Sequence, residues 1–121
     1  MLKKINIKNL AIIDELEIEL NPSFNVLTGE SGSGKTIIYK SINYLFGKPF
    51  NKENIRKGES CCEISGLVSI NSKLHQIRRV FTDTKTINYI DDKIFSKKKY
   101  LDFIEGNWES YGQHEQHLLL D

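Results

Sequence analysis

Gly29-Glu30-Ser31-Gly32-Ser33-Gly34-Lys35-Thr36 fills every fixed position of G-x-x-x-x-G-K-[ST]. The residue types specify a chemistry. Gly29, Gly32 and Gly34 reach backbone angles closed to other residues and carry no side chain to meet a phosphate. A loop of this kind, with Glu30, Ser31 and Ser33 contributing backbone, turns its N–H groups inward around a phosphate chain. A helix starting there adds the unpaired amides of its first turn, through Thr36 and Ile37, and the positive end of its dipole. Lys35 supplies a mobile ammonium for the β and γ phosphates, and the Thr36 hydroxyl a ligand for Mg²⁺. Magnesium keeps several waters, so one hydroxyl beside the phosphates is a fitting share. The stretch reads as a cradle for a nucleoside triphosphate.

The motif needs a strand before it and a helix after it. Phe24-Asn25-Val26-Leu27 reads as a short buried strand, and Thr36 to Phe46 has helical spacing of apolar residues, ending at Gly47. Upstream, Leu2 to Leu10 and Ile12 to Leu20 alternate with period two, as half-buried strands do. A turn near Asn9 to Asp14 would pair them as a hairpin, and Asn21-Pro22-Ser23 turns the chain toward the phosphate loop. Lys48 to Gly58 is polar and broken by Pro49, which predicts a surface loop. Cys61 to Ile70, His75 to Phe81 and Thr86 to Ile90 predict an antiparallel meander, turning at Asn71-Ser72 and ending at Asp91-Asp92-Lys93. Arg78 and Arg79 fall in its second strand, with one side chain expected outside and the other at the sheet edge. Ser96 is a fitting N-cap for a helix from Lys97 to Glu105, with Tyr100, Leu101 and Ile104 on one face and Gly106 as its stop. A short strand from Trp108 to Tyr111 then leads into Gly112-Gln113-His114-Glu115-Gln116-His117.

The 121 residues are enough for one domain and few for a complete motor ATPase. Seventeen basic against sixteen acidic side chains leave a formal charge of +1, which announces no nucleic-acid surface. Lys97-Lys98-Lys99 reads as a solvated helix face. No apolar run reaches membrane-spanning length, and the first twenty residues are too charged for a signal peptide. Cys61 and Cys62 are adjacent, a spacing that strains a mutual disulfide, so both are expected as free thiols in strands of a cytoplasmic protein. His114 and His117 stand three apart, not at the spacing of His-Glu-x-x-His, and His75 is isolated, so zinc chemistry is not indicated.

Taken in order, these pieces resemble the bacterial RecN family of DNA repair ATPases, in the SMC-like branch of the ABC ATPases. Ile7-Lys8-Asn9-Leu10-Ala11-Ile12-Ile13-Asp14-Glu15-Leu16 is similar to the family's N-terminal hairpin, and Asn25 to Thr36 to its Walker A. Ile55-Arg56-Lys57-Gly58 sits where the family carries an arginine loop. Tyr111-Gly112-Gln113-His114-Glu115-Gln116-His117 resembles its Gly-Gln-His-Glu-His-Gln segment, with the last two residues exchanged. The resemblance implies that Gln113 is the Q-loop glutamine, reaching Mg²⁺ and the attacking water, and that Arg56 senses nucleotide. It implies an α/β fold, the N-terminal lobe of an ABC/SMC-type P-loop NTPase head: a mixed sheet around the P-loop helix plus an antiparallel β subdomain. ATP and Mg²⁺ are the implied cofactors. The implied partners are the C-terminal half of the same head, a second head joined through ATP, and DNA, in a bacterial, nucleoid-associated setting with no membrane.

Residues 1–121 would then be the N-terminal half of such a head, from Walker A to Q-loop, with the C-terminal half and coiled coil absent. A Walker B strand, a signature loop and a switch histidine are not found. Ile87 to Asp92 imitates a Walker B but interrupts it with Asn88 and lacks a Glu after the Asp, which makes it a strand and turn. Phosphoryl transfer needs an aligned water as well as held phosphates, so this chain is expected to bind nucleotide weakly and to hydrolyse none alone. Other readings fare worse. A GTPase would need Asn-Lys-x-Asp, where Asn51-Lys52-Glu53-Asn54 fails at its fourth position, and a small-molecule kinase would alternate strands and helices throughout. The alternative is a stand-alone or degenerate P-loop nucleotide-binding module that docks a partner without hydrolysis. The intact Lys35 and Thr36 argue against decay of the site, while a chain lacking the other half could still act this way.

Overall fold

Period-two alternation at the start of the chain becomes a real hairpin. The computed structural model of the protein describes residues 2–20 and 32–107. Strand β1 (Leu2–Leu10) pairs antiparallel with β2 (Ile13–Glu19), Ile5 opposite Ile18 and Ile7 opposite Leu16. Helix α1 (Gly32–Leu45) and a 3₁₀ turn at Lys52–Asn54 follow, and then β3 (Cys61–Ile70), β4 (Lys73–Thr82), β5 (Thr86–Ile90), β6 (Lys93–Phe95) and helix α2 (Lys97–Asn107). The N-terminal hairpin and the meander form one six-stranded antiparallel sheet in the order β2-β1-β3-β4-β5-β6, because β1 pairs with β3 as well as with β2.

Alternation sorts the side chains between the two faces. Ile5, Ile7, Ile64, Val68, Ile77 and Phe81 are buried on one face, and Ile38, Ile42 and Leu45 of α1 and Tyr100 and Ile104 of α2 join the same core. The other face meets solvent and carries the charged pairs, with Leu67, Leu74, Val80, Ile87 and Ile94 set among them. Lys4 lies 3.7 Å from Glu17, and Arg78 reaches Glu63 at 3.4 Å and Asp92 at 3.5 Å while covering the Tyr89 ring at 3.9 Å. A sheet with one packed and one solvated face is the usual antiparallel arrangement.

The turns are those the residue types demand. Asn71 and Ser72, and Asp91 and Asp92, have φ of 51° and 65° in each pair, the doubly left-handed geometry of two-residue hairpins. The second pair turns the chain into β6, a strand the sequence did not announce: Lys93-Ile94-Phe95 is three residues long with Ile94 exposed, too short to show a period. Asp91 also ties this turn back to β4, accepting from His75 Nδ1 at 2.7 Å and from the Gln76 N–H at 3.0 Å.

Two expectations need correcting. Helix α2 begins at the Ser96 cap, where Ser96 Oγ accepts the Lys99 N–H at 3.2 Å, but it runs through Gly106 to Asn107. Glycine in a final turn costs a helix only about 1 kcal/mol and does not end it unless the backbone turns left-handed. Neither Arg78 nor Arg79 lies at a sheet edge, because β5 covers β4 on its far side. Arg78 points to the polar face, and Arg79 points inward and is buried. Lys97, Lys98 and Lys99 are exposed, and Cys61 and Cys62 are free thiols in β3, as expected. Burial, with Cys61 and Glu63 beside it, pushes the Cys62 thiol up to about 12.

Gly66 of β3 sets how closely α1 approaches the sheet. A Cβ there would lie 2.7 Å from Leu45 Cδ2 and 2.9 Å from Leu2 Cδ1. Gly66→Ala is therefore expected to lower unfolding free energy by about 1–3 kcal/mol, as overpacked cores do, measurable by urea denaturation. A second expectation concerns acid. Partial burial raises the Asp91 carboxyl, but the bonds from His75 and Gln76 outweigh it and hold the group below its ordinary value. The stability this supplies is present above the unfolded carboxylate pKa and is lost as pH falls through the lower folded value. Thermal melts from neutral pH into that acid range should show the wild type losing more stability than Asp91→Asn.

Candidate functional site

Gly32 to Thr36, the second half of the phosphate motif, form the opening of α1. The amides of a helix's first turn have no intrahelical acceptor, so this end presents N–H donors and the positive end of the dipole. Thr36 is exposed and Ile37 half-buried. Thr36 stands one turn into the helix, and a single hydroxyl is the kind of share a magnesium ion takes from protein when water and phosphate supply the rest. Gly29, Glu30 and Ser31, the expected strand Phe24 to Leu27, the turn Asn21 to Ser23, the strand Trp108 to Tyr111 and Gln113 with its neighbours lie outside the described residues.

The flank of α1 is held by Ile38, Ile42 and Leu45, at helical spacing against the sheet. Ser41, fully buried among them, satisfies its hydroxyl by donating to the Ile38 carbonyl at 2.7 Å. The rear of the helix is closed with unusual completeness. Gly47, at φ 103°, donates to Tyr44 O at 3.2 Å, and the Lys48 N–H reaches Asn43 O at 3.0 Å, the two bonds of a Schellman motif. Arg79 Nη1 then donates to Tyr44 O at 2.7 Å and Lys48 O at 3.4 Å, and Tyr100 Oη donates to Leu45 O at 2.7 Å. Arg79 Nε donates to Asn88 Oδ1 at 2.8 Å. Its guanidinium sits 5.0 Å from the Phe81 ring centre and 5.6 Å from that of Tyr100. Burial pulls the Arg79 pKa down, opposed by Tyr100, and burial pushes the Tyr100 hydroxyl up.

Sequence reasoning missed Arg79 and Asn88, although a signal existed. Ile77, Arg79 and Phe81 share one parity of β4, so the inward face assigned to the two apolar residues also claims the arginine. Asn88 was noted only as the residue that spoils a Walker B pattern, and it is buried as the acceptor for that arginine.

Arg56 is held by the turn between β1 and β2. Its N–H donates to Asn9 O at 2.8 Å, its Nη1 to Ile12 O at 2.8 Å, and Ala11 N–H donates to Asn54 O at 2.7 Å. Asn54 Nδ2 in turn donates to Tyr44 Oη at 2.7 Å, which joins the arginine loop to α1. Among the described residues no three His, Cys, Asp or Glu side chains gather into a metal site, and no helix is long and apolar enough to cross a membrane.

The family model described as an AAA domain matches residues 4–118. The DNA repair protein RecN of Bacillus subtilis is 29% identical across 100% of this chain, and that of Halalkalibacterium halodurans 31% identical across 99%. The chain spans 24%, about a quarter, of the length of each of these relatives. In fold it is similar to a chain solved in work on ATP-driven dimerization and DNA-stimulated activation of SMC ATPases, with TM-score 0.74 and 17% identity over 85% of this chain and 76% of that one. The recombination mediator RecF bound to an ATP analogue gives 0.68 and 18% over 84% of this chain and 29% of RecF, and the SMC head domain of Thermotoga maritima 0.63 and 20% over 84% and 41%.

Arg56→Ala removes the bond to Ile12 O and should lower unfolding free energy by about 0.5–1.5 kcal/mol in urea titration. Tyr44→Phe should cost a similar amount, and the two losses should fall short of adding, since both loosen one loop.

Proposed function

This chain belongs to the AAA domain family, and on that premise we propose that it is the ATP-binding N-terminal half of a RecN-like ATPase head acting in DNA double-strand-break repair and recombination. One observation carries the reading: the Gly-Ser-Gly-Lys-Thr portion of the phosphate motif opens a 14-residue helix that is braced on the sheet along its flank and at its rear. Such a helix presents fixed donors at its free end, and these are what a triphosphate binds.

Each residue then has a task. The amides of the motif from Gly29 onward hold the phosphate oxygens, and the helix dipole adds to their pull. Lys35 would set its ammonium against the β and γ phosphates, and Thr36 would offer its hydroxyl to Mg²⁺, an ion that supplies charge neutralisation when bound. Gln113 is assigned the metal and the attacking water. Arg56 senses nucleotide only if its guanidinium leaves the Ile12 carbonyl, so its role runs through the turn between β1 and β2. The residues that align water and close the site come from the C-terminal half of the same head. Two such heads join through ATP, and closure is coupled to DNA in a bacterial cytoplasm, at the nucleoid. The length of the RecN relatives supports this division, because three quarters of each lies outside the match.

Steady-state ATPase assays on the purified chain test it. Turnover should not exceed that of Lys35→Ala, and binding of a fluorescent ATP analogue with Mg²⁺ should be saturable and weakened by about tenfold or more in that variant, as expected for losing a charged phosphate contact. Addition of the C-terminal half of a RecN head should restore Lys35-dependent turnover. Hydrolysis by the chain alone that disappears in Lys35→Ala would overturn the half-head reading.

A further inference from the structure

Helix α1 ends against a buried cation whose presence packing alone does not explain. Arg79 is 3% exposed, and among the described residues no carboxylate pairs with it. Burying a guanidinium carries a desolvation penalty that an apolar side chain of similar volume avoids, and such replacements are often neutral or stabilising. The compensation Arg79 does receive is directional. Nη1 is shared by the carbonyls of Tyr44 and Lys48, at the negative end of the α1 dipole, and Nε is fixed by Asn88 from the neighbouring strand. Asn88 is itself 4% exposed, and the two residues face each other in the β4–β5 register. The sheet thus holds one rigid fork, and α1 fits it in one axial position and one rotation. Greasy contacts along the flank cannot set either coordinate so sharply, because apolar attraction is non-directional.

A 14-residue helix is a rod of about 21 Å, and a shift at its rear appears at its front. We propose that Arg79, oriented by Asn88, is a positioning residue for the phosphate-binding turn: it fixes where Gly32 to Thr36 stand by gripping the opposite end of the same helix. This rests on the reading that the motif holds a triphosphate. A misplacement of about 1 Å from a distant residue can cost a reaction as much as a hundredfold in rate, so a grip far from the phosphates has leverage over groups that must be aimed.

The test replaces the fork with apolar side chains. In the double variant Arg79→Met/Asn88→Leu, cooperative thermal unfolding should persist. The ¹H–¹⁵N signals of the Gly32 and Gly34 amides should move, and affinity for the fluorescent ATP analogue with Mg²⁺ should fall by about tenfold or more, for the same misplacement. Arg79→Lys keeps the charge but not the fork, and should recover part of that loss. Should the double variant not fold, Arg79→Lys and Asn88→Ala are read by the same two signals, and must show displaced glycine amides and weaker binding. Folded variants with wild-type Gly32 and Gly34 signals and wild-type affinity would overturn the proposal, leaving Arg79 a packing residue only. Wild-type protein with no saturable, Lys35-dependent binding would overturn the reading of the motif and this inference with it. Binding lost in Lys35→Ala but kept in the Arg79 variants overturns this inference alone.

Discussion

Helix α1 is held by its flank and by its far end, and the rest of the described structure is arranged around those two attachments. The flank of α1 is apolar and lies on the sheet through Ile38, Ile42 and Leu45. The far end is satisfied twice over, by its own Schellman turn at Gly47 and by donors from two other elements, Arg79 of β4 and Tyr100 of α2. Carbonyls at a helix C-terminus need such donors, and a cation among them complements the dipole. Helix α2, which lies beyond the whole meander in sequence, is thereby built into the support of the phosphate motif.

The same end of α1 also reaches the arginine loop. Tyr44 gives its carbonyl to Arg79 and accepts the Asn54 side chain at its hydroxyl, and Asn54 and Arg56 are bonded to the turn between β1 and β2. One residue of the last helical turn therefore touches both the sheet interior and the loop that carries Arg56. Movement of α1 along its axis would be felt at the Ile12 carbonyl through two hydrogen bonds and a short stretch of backbone. The loop and the helix are thus joined by a continuous hydrogen-bonded route.

Much of this was legible in the sequence, and the exceptions have physical reasons. Period-two runs marked β1 to β5, and the Gly-rich motif with its trailing helical spacing marked α1, since both signals are local. Strand β6 was too short to carry a period. The merging of hairpin and meander into one sheet depends on β1 meeting β3, a pairing across more than fifty residues, with Leu2 opposite Val68, that local pattern does not encode. Of Arg78 and Arg79 one is expected outside and the other at a sheet edge, since charged strand residues seek water; parity instead places Arg79 inward. Its burial makes sense only once α1 is known to end above it, a tertiary fact. The motif shows in its residue types; the contacts that brace the helix behind it do not.

The acidic residues that might have completed the site are already committed elsewhere. Asp91 and Asp92, which end the Walker B lookalike, occupy the left-handed positions of a hairpin turn, a geometry Asp tolerates and most residues do not. Asp91 spends both carboxylate oxygens on His75 and the Gln76 amide, and Asp92 faces Arg78 on the polar side of the sheet, opposite the face that carries α1. Asn88, where a Walker B strand would carry an apolar residue, is the partner of the buried arginine. A strand ending that serves as turn former, β4 staple and arginine clamp cannot also orient a water at the front of α1. The division of labour is thus written into the meander: its inward side chains grip α1, and its acidic residues serve the turn and the solvated face.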